Sequence, residues 1–129
     1  MIWLEDLLTS AINQLGMEIL SSHFHSFFPQ GVTGIIGIST SHFSIHTWPE
    51  HGYAALDLYT CGDQNIWPVL REILLILQAG RSDVYEISRG EKMNNNAVLS
   101  KFSLTLNGAN DEIIENQHFL TGYLEMNEI

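Results

Sequence analysis

The densest group of chemically reactive side chains lies between residues 33 and 61. It contains hydroxyls, imidazoles, carboxylates and one thiol: Thr33, Ser41, His42, Ser44, His46, Glu50, His51, Asp57 and Cys61. Side chains of these types can supply a nucleophile, a general base and a proton donor. The ordinary alternative is structural, because an isolated cysteine often packs as a small hydrophobe and strands commonly carry hydroxyls. Residue types alone leave both interpretations open.

Three common kinds of site do not fit the spacing. His42 and His46 would lie on one face of a strand about 13 Å apart, which is too far to share a metal ion. The pair His23 and His25 lacks the cysteines or carboxylates of a zinc site. Ser41 is not part of a Gly-x-Ser-x-Gly elbow, and the chain has no glycine-rich phosphate-binding motif. The sequence therefore predicts no metal site, no triad hydrolase and no phosphate-binding loop.

The elements that position these residues follow from hydrophobic periodicity. Apolar residues at helical spacing predict a helix over residues 2–15 and a second helix that begins near Asp63 or Asn65 and ends at Gly80. Alternating or β-branched stretches predict strands over residues 17–27, 34–39, 41–47, 53–60, 83–88 and 98–106. This order predicts an α+β fold, a two-layer α/β sandwich whose mainly antiparallel sheet carries two helices on one face.

A single domain is predicted over residues 1–108, followed by an acidic C-terminal tail over residues 109–129. From residue 111 onward the tail has five acidic residues and no basic one. Its apolar residues follow no clear period, so we interpret it as a short helix or a partly ordered arm.

The charge distribution excludes several partners. The chain has 15 acidic and 5 basic residues, and its first basic residue is Arg71. Nucleic acids and anionic membranes need clusters of cations, so neither is an expected partner. No apolar run reaches the roughly 18 residues of a membrane span, and residues 1–20 lack the basic start of a signal peptide. Because the single Cys61 cannot form an internal disulfide, we expect a cytoplasmic protein.

Three motifs point to a known family. They are Phe-Phe-Pro-Gln-Gly-Val-Thr-Gly at 27–34, Ser-His-Phe-Ser-Ile-His-Thr-Trp-Pro-Glu at 41–50, and Gly-Tyr-Ala-Ala-Leu-Asp-Leu-Tyr-Thr-Cys-Gly at 52–62. Residues 2–90 resemble the prokaryotic S-adenosylmethionine decarboxylase proenzyme family. The resemblance implies a pyruvoyl-dependent enzyme that decarboxylates S-adenosylmethionine, a small-molecule substrate, and so supplies the aminopropyl donor for spermidine and other polyamines.

The resemblance also implies that the chain cuts itself between Thr40 and Ser41. Ser41 then becomes a covalent pyruvoyl group, so the cofactor (pyruvate) comes from the chain itself. In this chemistry the serine hydroxyl attacks the preceding carbonyl, the resulting ester undergoes β-elimination, and the dehydroalanine hydrolyses to a ketone. By the same resemblance His46 and the hydroxyl of Thr33 assist the cut, and Cys61 returns a proton to the substrate carbon after CO₂ leaves.

Substrate-binding residues are implied in the same way. Phe27 and Trp48 would stack on the adenine, Glu50 would hold the ribose hydroxyls, and aromatic faces favour the sulfonium cation. Each position also has a structural alternative, since the aromatic residues can be core or dimer contacts and Glu50 can cap the turn at Pro49. We expect a homodimer, because a second protomer is the simplest cover for the sheet face without helices.

The chain departs from the family pattern at three points. Thr40 replaces the usual glutamate before the cut, and its β-branched side chain crowds the carbonyl, so we expect slower cleavage. Thr33 replaces a serine but keeps the hydroxyl. Family members typically open with a strand before the first helix, and we expect the strand at 97–106 to fill the sheet edge left vacant here.

Two other functions remain open from the sequence. One is a decarboxylase of the same fold that acts on a different amino acid, such as arginine or ornithine. The other is a non-catalytic homologue that is never cut and serves as a partner or regulator.

Overall fold

The computed structural model of the chain describes residues 2–61, 65–88, 97–107 and 110–121. Its elements, in chain order, are α1 (Ile2–Gln14), β1 (Ile19–Ser26), β2 (Val32–Ile38), β3 (Ser41–Trp48), a 3-10 turn (Pro49–His51), β4 (Tyr53–Tyr59), α2 (Trp67–Ile76), β5 (Arg81–Ser88), β6 (Ala97–Asn107) and β7 (Asn110–Thr121). They divide into two compact units, Met1–Ile73 and Leu74–Ile129. The two helices and the antiparallel strand pairs confirm the predicted α+β class.

The first unit contains a four-stranded antiparallel sheet in the order β1-β2-β3-β4. Alternate residues of its two central strands are buried, together with one stripe of α1: Ile36, Ile38, Phe43 and Ile45 from the strands, and Leu4, Leu8, Ala11 and Ile12 from the helix. The Ser22 hydroxyl donates a hydrogen bond to Glu5 Oε1 at 2.9 Å and ties α1 to β1. Gly34 is required beside β1, because a Cβ atom there would overlap the Phe24 ring.

The end of α1 and the start of α2 agree with the sequence prediction. Gly16 adopts a left-handed conformation with φ 70° directly after α1, and its N–H donates to the Asn13 carbonyl. At the start of α2, the Asn65 side-chain oxygen accepts the Trp67 N–H at 3.2 Å, as an N-terminal cap does. The other predicted cap, Asp63, lies outside the described residues.

The predicted end of the second helix at Gly80 is wrong. The helix ends at Ile76, and Gln78 rather than a glycine takes up the left-handed conformation after it, with φ 56°. The Gln78 and Ala79 N–H groups donate to carbonyls of the last helical turn and so close the helix before Gly80 is reached.

The second unit contains a three-stranded antiparallel sheet in the order β5-β6-β7. The buried Ser103 hydroxyl donates to Asp83 Oδ1 at 2.8 Å, and the Arg81 guanidinium lies 3.5 Å from the same oxygen. The Ser103 hydrogen bond and the nearby cations Arg81 and Lys101 hold the pKa of Asp83 below its usual value of 3.8.

Two expectations about the C-terminal region are wrong. The strand predicted at 97–106 does not fill an edge of the first sheet, because β6 pairs with β5 on one side and β7 on the other. Residues 110–121 form a strand rather than a helix or a partly ordered arm. Pairing with β6 supplies hydrogen bonds that local sequence does not reveal, and a register shift beside Ser103 and Leu104 interrupts the alternation that marks a strand. Residue 108, the predicted domain limit, and residues 122–129 lie outside the described residues.

Candidate active site

Ser41 lies at the start of β3, directly after a tight hairpin. Ile38 pairs with Ser41, so Ser39 and Thr40 form a two-residue connection between β2 and β3. The Ser39 N–H donates to the Glu18 carbonyl at 3.1 Å, which holds this connection to the chain before β1. Ser41 is half-buried. The Thr40–Ser41 peptide bond therefore sits at a position fixed by a short, tethered turn.

The Cys61 thiol lies next to this peptide bond. Cys61 follows the end of β4, the strand that pairs with β3, and its Sγ lies 3.5 Å from the Thr40 carbonyl oxygen. The thiol is placed to donate a hydrogen bond to the carbonyl that the Ser41 hydroxyl would attack. Two of the predicted site residues, Ser41 and Cys61, are thus brought together through Thr40.

Thr33 and His46 form a second pair, on neighbouring strands. They are directly opposite each other in the β2–β3 register, and the Thr33 hydroxyl lies 2.9 Å from Nδ1 of His46. The contact fixes the imidazole ring and leaves its other nitrogen, Nε2, available for proton transfer. His46 is five positions along β3 from Ser41, a separation of about 16 Å in an extended strand. The structure therefore does not bring His46 to the Ser41 of the same chain.

The predicted substrate-binding residues lie at the His46 end of the sheet. The Trp48 ring is 6.1 Å from the His46 ring and 5.4 Å from the Tyr53 ring. The Phe27 ring makes an edge contact with His25 at 4.7 Å. These contacts leave both predicted adenine-stacking residues accessible, with 51% of Phe27 and 39% of Trp48 exposed.

Glu50 lies beside the turn that joins β1 to β2. Gln30 Nε2 donates to Glu50 Oε2 at 3.5 Å, and the Thr47 hydroxyl accepts the Val32 N–H at 2.9 Å. A Cβ atom on Gly31 would come within 3.3 Å of the Thr47 carbonyl, so the turn approaches the end of β3 closely. Gln30 is a neighbour of Glu50 that the sequence did not single out.

One side of the four-stranded sheet carries the side chains that alternate with the buried ones and point away from them. We call it the outer face and define it by Ile35, His42, His46, Trp48 and Tyr53, which the strand register places on the same side. Half of Ile35 and 58% of Tyr53 are exposed. The outer face is therefore an exposed surface of mixed aromatic, aliphatic and imidazole character.

Tyr59 was not among the predicted site residues, yet its hydroxyl lies 3.7 Å from Cys61 Sγ. Its ring stacks on His42, with centroids 5.4 Å apart. A tyrosine within a strand is ordinary in sequence terms, and only the β3–β4 register places it here.

Among the residues that the structure describes, no group of three histidine, cysteine or acidic side chains could hold a metal ion, and no helix is long and apolar enough to span a membrane.

Comparison with known proteins gives consistent matches. Residues 2–90 match the family described as S-adenosylmethionine decarboxylase. The S-adenosylmethionine decarboxylase proenzyme of Persephonella marina is 49% identical over 86 residues, which cover 66% of this chain and 65% of that protein. The proenzyme of Syntrophomonas wolfei is 47% identical over 87 residues, covering 67% of this chain and 69% of that protein. That of Thermotoga maritima is 46% identical over 88 residues, covering 67% and 68%.

A solved structure has the same fold. The crystal structure of the adenosylmethionine decarboxylase from Aquifex aeolicus superposes with a TM-score of 0.53 at 24% identity, covering 98% of this chain and 77% of that chain. The family match spans more than half of the present chain and includes every candidate site residue. The chain belongs to the S-adenosylmethionine decarboxylase family.

Proposed function

We propose that the chain is a self-cleaving, pyruvoyl-dependent decarboxylase of S-adenosylmethionine, which supplies the aminopropyl donor for spermidine synthesis. The observation that carries the proposal is the contact between the Cys61 thiol and the Thr40 carbonyl oxygen at 3.5 Å. That contact joins the residue proposed as proton donor to the bond proposed to be cut, which lies at the end of the tethered turn between β2 and β3.

The cut begins when Ser41 Oγ adds to the Thr40 carbonyl carbon. The C–N bond breaks, the amine nitrogen of Ser41 takes a proton, and an ester links the two segments. Negative charge develops on the Thr40 oxygen during this step, and Cys61 is placed to donate a hydrogen bond to it. β-Elimination then releases residues 1–40 as a carboxylate, and the dehydroalanine left at position 41 gains water and loses ammonia.

The chain's residues suit the group that this reaction would form. The pyruvoyl ketone supplies an electron sink for the electrons released with CO₂. Phe27 and Trp48 would bind the adenine, Glu50 would bind the ribose hydroxyls, and Cys61 would hold the proton that the substrate carbon receives. The absence of basic residues before Arg71 suits a substrate that carries a sulfonium and an ammonium group.

We propose that the working form is a homodimer in which each Ser41 is served by the Thr33–His46 pair of the other copy. Within one chain that pair lies too far from Ser41 to take its proton directly. A two-fold axis that sets the two sheets antiparallel would place the His46 end of one sheet beside the Ser41 end of its partner. Such packing would also cover Ile35, Trp48 and Tyr53, whose exposure supports an interface here.

A cytoplasmic location belongs to the same proposal, because the lone Cys61 is exposed and would have to stay a free thiol.

The decarboxylation itself is tested by incubating the purified protein with carboxyl-labelled S-adenosylmethionine, arginine or ornithine and measuring released CO₂. Release from S-adenosylmethionine alone is expected. Release from arginine or ornithine alone would reassign the substrate, and release from none would leave a non-catalytic family member.

A further inference from the structure

The Cys61 thiol has two possible acceptors for its single proton. One is the Thr40 carbonyl oxygen at 3.5 Å, and the other is the Tyr59 hydroxyl at 3.7 Å. A thiol has one hydrogen, so it donates fully to only one of these oxygens at a time. The Thr40 carbonyl belongs to the bond proposed to be cut, whereas the Tyr59 hydroxyl is untouched by that cut.

The pairing of β3 with β4 and a stacking contact fix the position of the Tyr59 ring. Tyr59 is directly opposite His42 in the β3–β4 register, and the two rings stack with their planes 20° apart. The hydroxyl therefore has a position set by two paired strands. Cys61 lies two residues beyond, after β4 has ended. The Tyr59 side chain, fixed at the end of β4, can therefore position the Cys61 thiol, which lies outside the strand.

Resting on the proposed function, we propose that Tyr59 is a positioning residue for the protonation step of decarboxylation. In the uncut chain the Thr40 carbonyl is the nearer acceptor of the thiol proton. Cleavage makes Thr40 the free end of the fragment 1–40, so its carbonyl is no longer held through a peptide bond to Ser41. The Tyr59 hydroxyl then becomes the partner that keeps the Cys61 sulfur directed at the substrate.

The same hydroxyl acts after the proton has moved. When the substrate carbon takes the proton, the S–H bond breaks, a C–H bond forms and the electron pair stays on sulfur as a thiolate. The phenol O–H can donate a hydrogen bond to this thiolate without losing its own proton. Water then donates a proton to the thiolate, which restores the thiol and leaves hydroxide. The step needs no other reactant, and Tyr59 acts on Cys61 rather than on the substrate.

The experiment uses the fact that Cys61 is the single cysteine of the chain. Alkylation by iodoacetamide at one fixed pH therefore reports on this sulfur alone, and the thiolate is the reacting form. Tyr59→Phe removes only the hydroxyl and keeps the ring that stacks on His42. The matched control is Tyr85→Phe, which removes the hydroxyl of a tyrosine on β5 whose ring lies 5.8 Å from Lys101 Nζ.

Tyr59→Phe is expected to slow alkylation of the folded protein roughly three- to tenfold, the effect of one partly exposed hydrogen bond. In urea, which unfolds the chain, Tyr59→Phe and the parent should be alkylated at the same rate. Tyr85→Phe should be alkylated at the parent rate both in the folded state and in urea. The same comparison is made in a Ser41→Ala background, which cannot form the pyruvoyl group. The alkylation rates of Cys61 therefore test the role of Tyr59 even if the chain is never cut and the proposed function fails. Equal rates for the folded parent and Tyr59→Phe in both backgrounds would overturn the proposal.

A kinetic comparison separates positioning from binding. In the cut enzyme, Tyr59→Phe should lower kcat several-fold and leave KM and the rate of self-cleavage nearly unchanged. A rise in KM at unchanged kcat would assign the hydroxyl to substrate binding. Loss of cleavage in a folded Tyr59→Phe protein would assign it to processing. Either outcome would overturn the inference.

Discussion

The Thr33 hydroxyl lies 2.9 Å from Nδ1 of His46, at a directly paired position of β2 and β3. The contact orients the imidazole at the opposite end of β3 from Ser41. A general base must come within hydrogen-bonding distance of the proton that it removes. This relationship therefore leads to the proposal that cleavage uses two copies of the chain.

The first prediction concerns complementation between inactive chains. His46→Ala should slow cleavage by roughly 10²–10⁴-fold because it removes the base, and Thr33→Val should slow it less because it only frees the ring. Co-expression of differently tagged His46→Ala and Ser41→Ala chains should restore cutting of the His46→Ala chain, since its Ser41 would meet an intact His46. The fragments are read on a denaturing gel.

The control for complementation is each variant expressed alone. If His46 acts on its own chain, the co-expressed His46→Ala chain will stay intact, and the two-copy arrangement would be wrong. The dimer itself is checked by light scattering on the parent protein.

The second prediction concerns Cys61. Cys61→Ala should leave self-cleavage largely intact, because a thiol 3.5 Å from a carbonyl is a weak donor. The same variant should lose most decarboxylation, because no group would hold the proton for the substrate carbon. Cleavage is followed by mass and turnover by CO₂ release. A Cys61→Ala protein that decarboxylates at the parent rate would show that another group donates the proton.

The third prediction concerns the residue before the cut. Thr40→Ala should cut several-fold faster than the parent, because it removes the β-branched side chain that crowds the carbonyl. Thr40→Val is the matched control, since it keeps the branch and loses only the hydroxyl. It should cut as slowly as the parent. Faster cutting in both variants would point instead to the Thr40 hydroxyl as the cause of the slow rate.

The fourth prediction concerns the second unit and pH. The native pKa of Asp83 lies below 3.8 because Ser103 and the nearby cations favour its charged form. This contribution to stability is present above the unfolded-state pKa and is lost as the pH falls through the lower native pKa. Ser103→Ala should therefore lower the melting temperature at pH 7 by a few degrees.

That difference should shrink when the same melts are run at progressively lower pH, as the Asp83 carboxyl becomes protonated first in the unfolded state and then in the native state. Ser82→Ala, on the neighbouring position of β5, is the control and should show no such pH dependence. A Ser103→Ala effect of equal size at every pH would mean that packing rather than the charge of Asp83 is responsible.

Local patterns predicted the first unit well. The alternation from Ser41 to Thr47 predicted β3 and its two faces, and Gly16 and Asn65 marked helix ends that the structure confirms. The second sheet could not be predicted in the same way. The pairing of β6 with β7 has a register shift next to Ser103. The side chains of β7 therefore do not alternate between the two faces with one unbroken period of two.

The candidate site was only partly visible in the sequence. Residue types and motifs indicated Ser41, His46 and Cys61, but sequence spacing does not state which pairs meet. Strand register decides that Thr33 meets His46 and that Tyr59 stacks on His42. The separation of His46 from Ser41, by contrast, already follows from the predicted strand over residues 41–47.

The most direct test of self-cleavage is the intact mass of the purified protein under denaturing conditions. We predict two species, residues 1–40 and residues 41–129, the second of which begins with a pyruvoyl group and lacks a free amino terminus. Ser41→Ala should give one species of 14.6 kDa. A parent protein that remains a single 14.6 kDa chain after prolonged incubation, with Ser41 unchanged, would contradict the proposed enzyme.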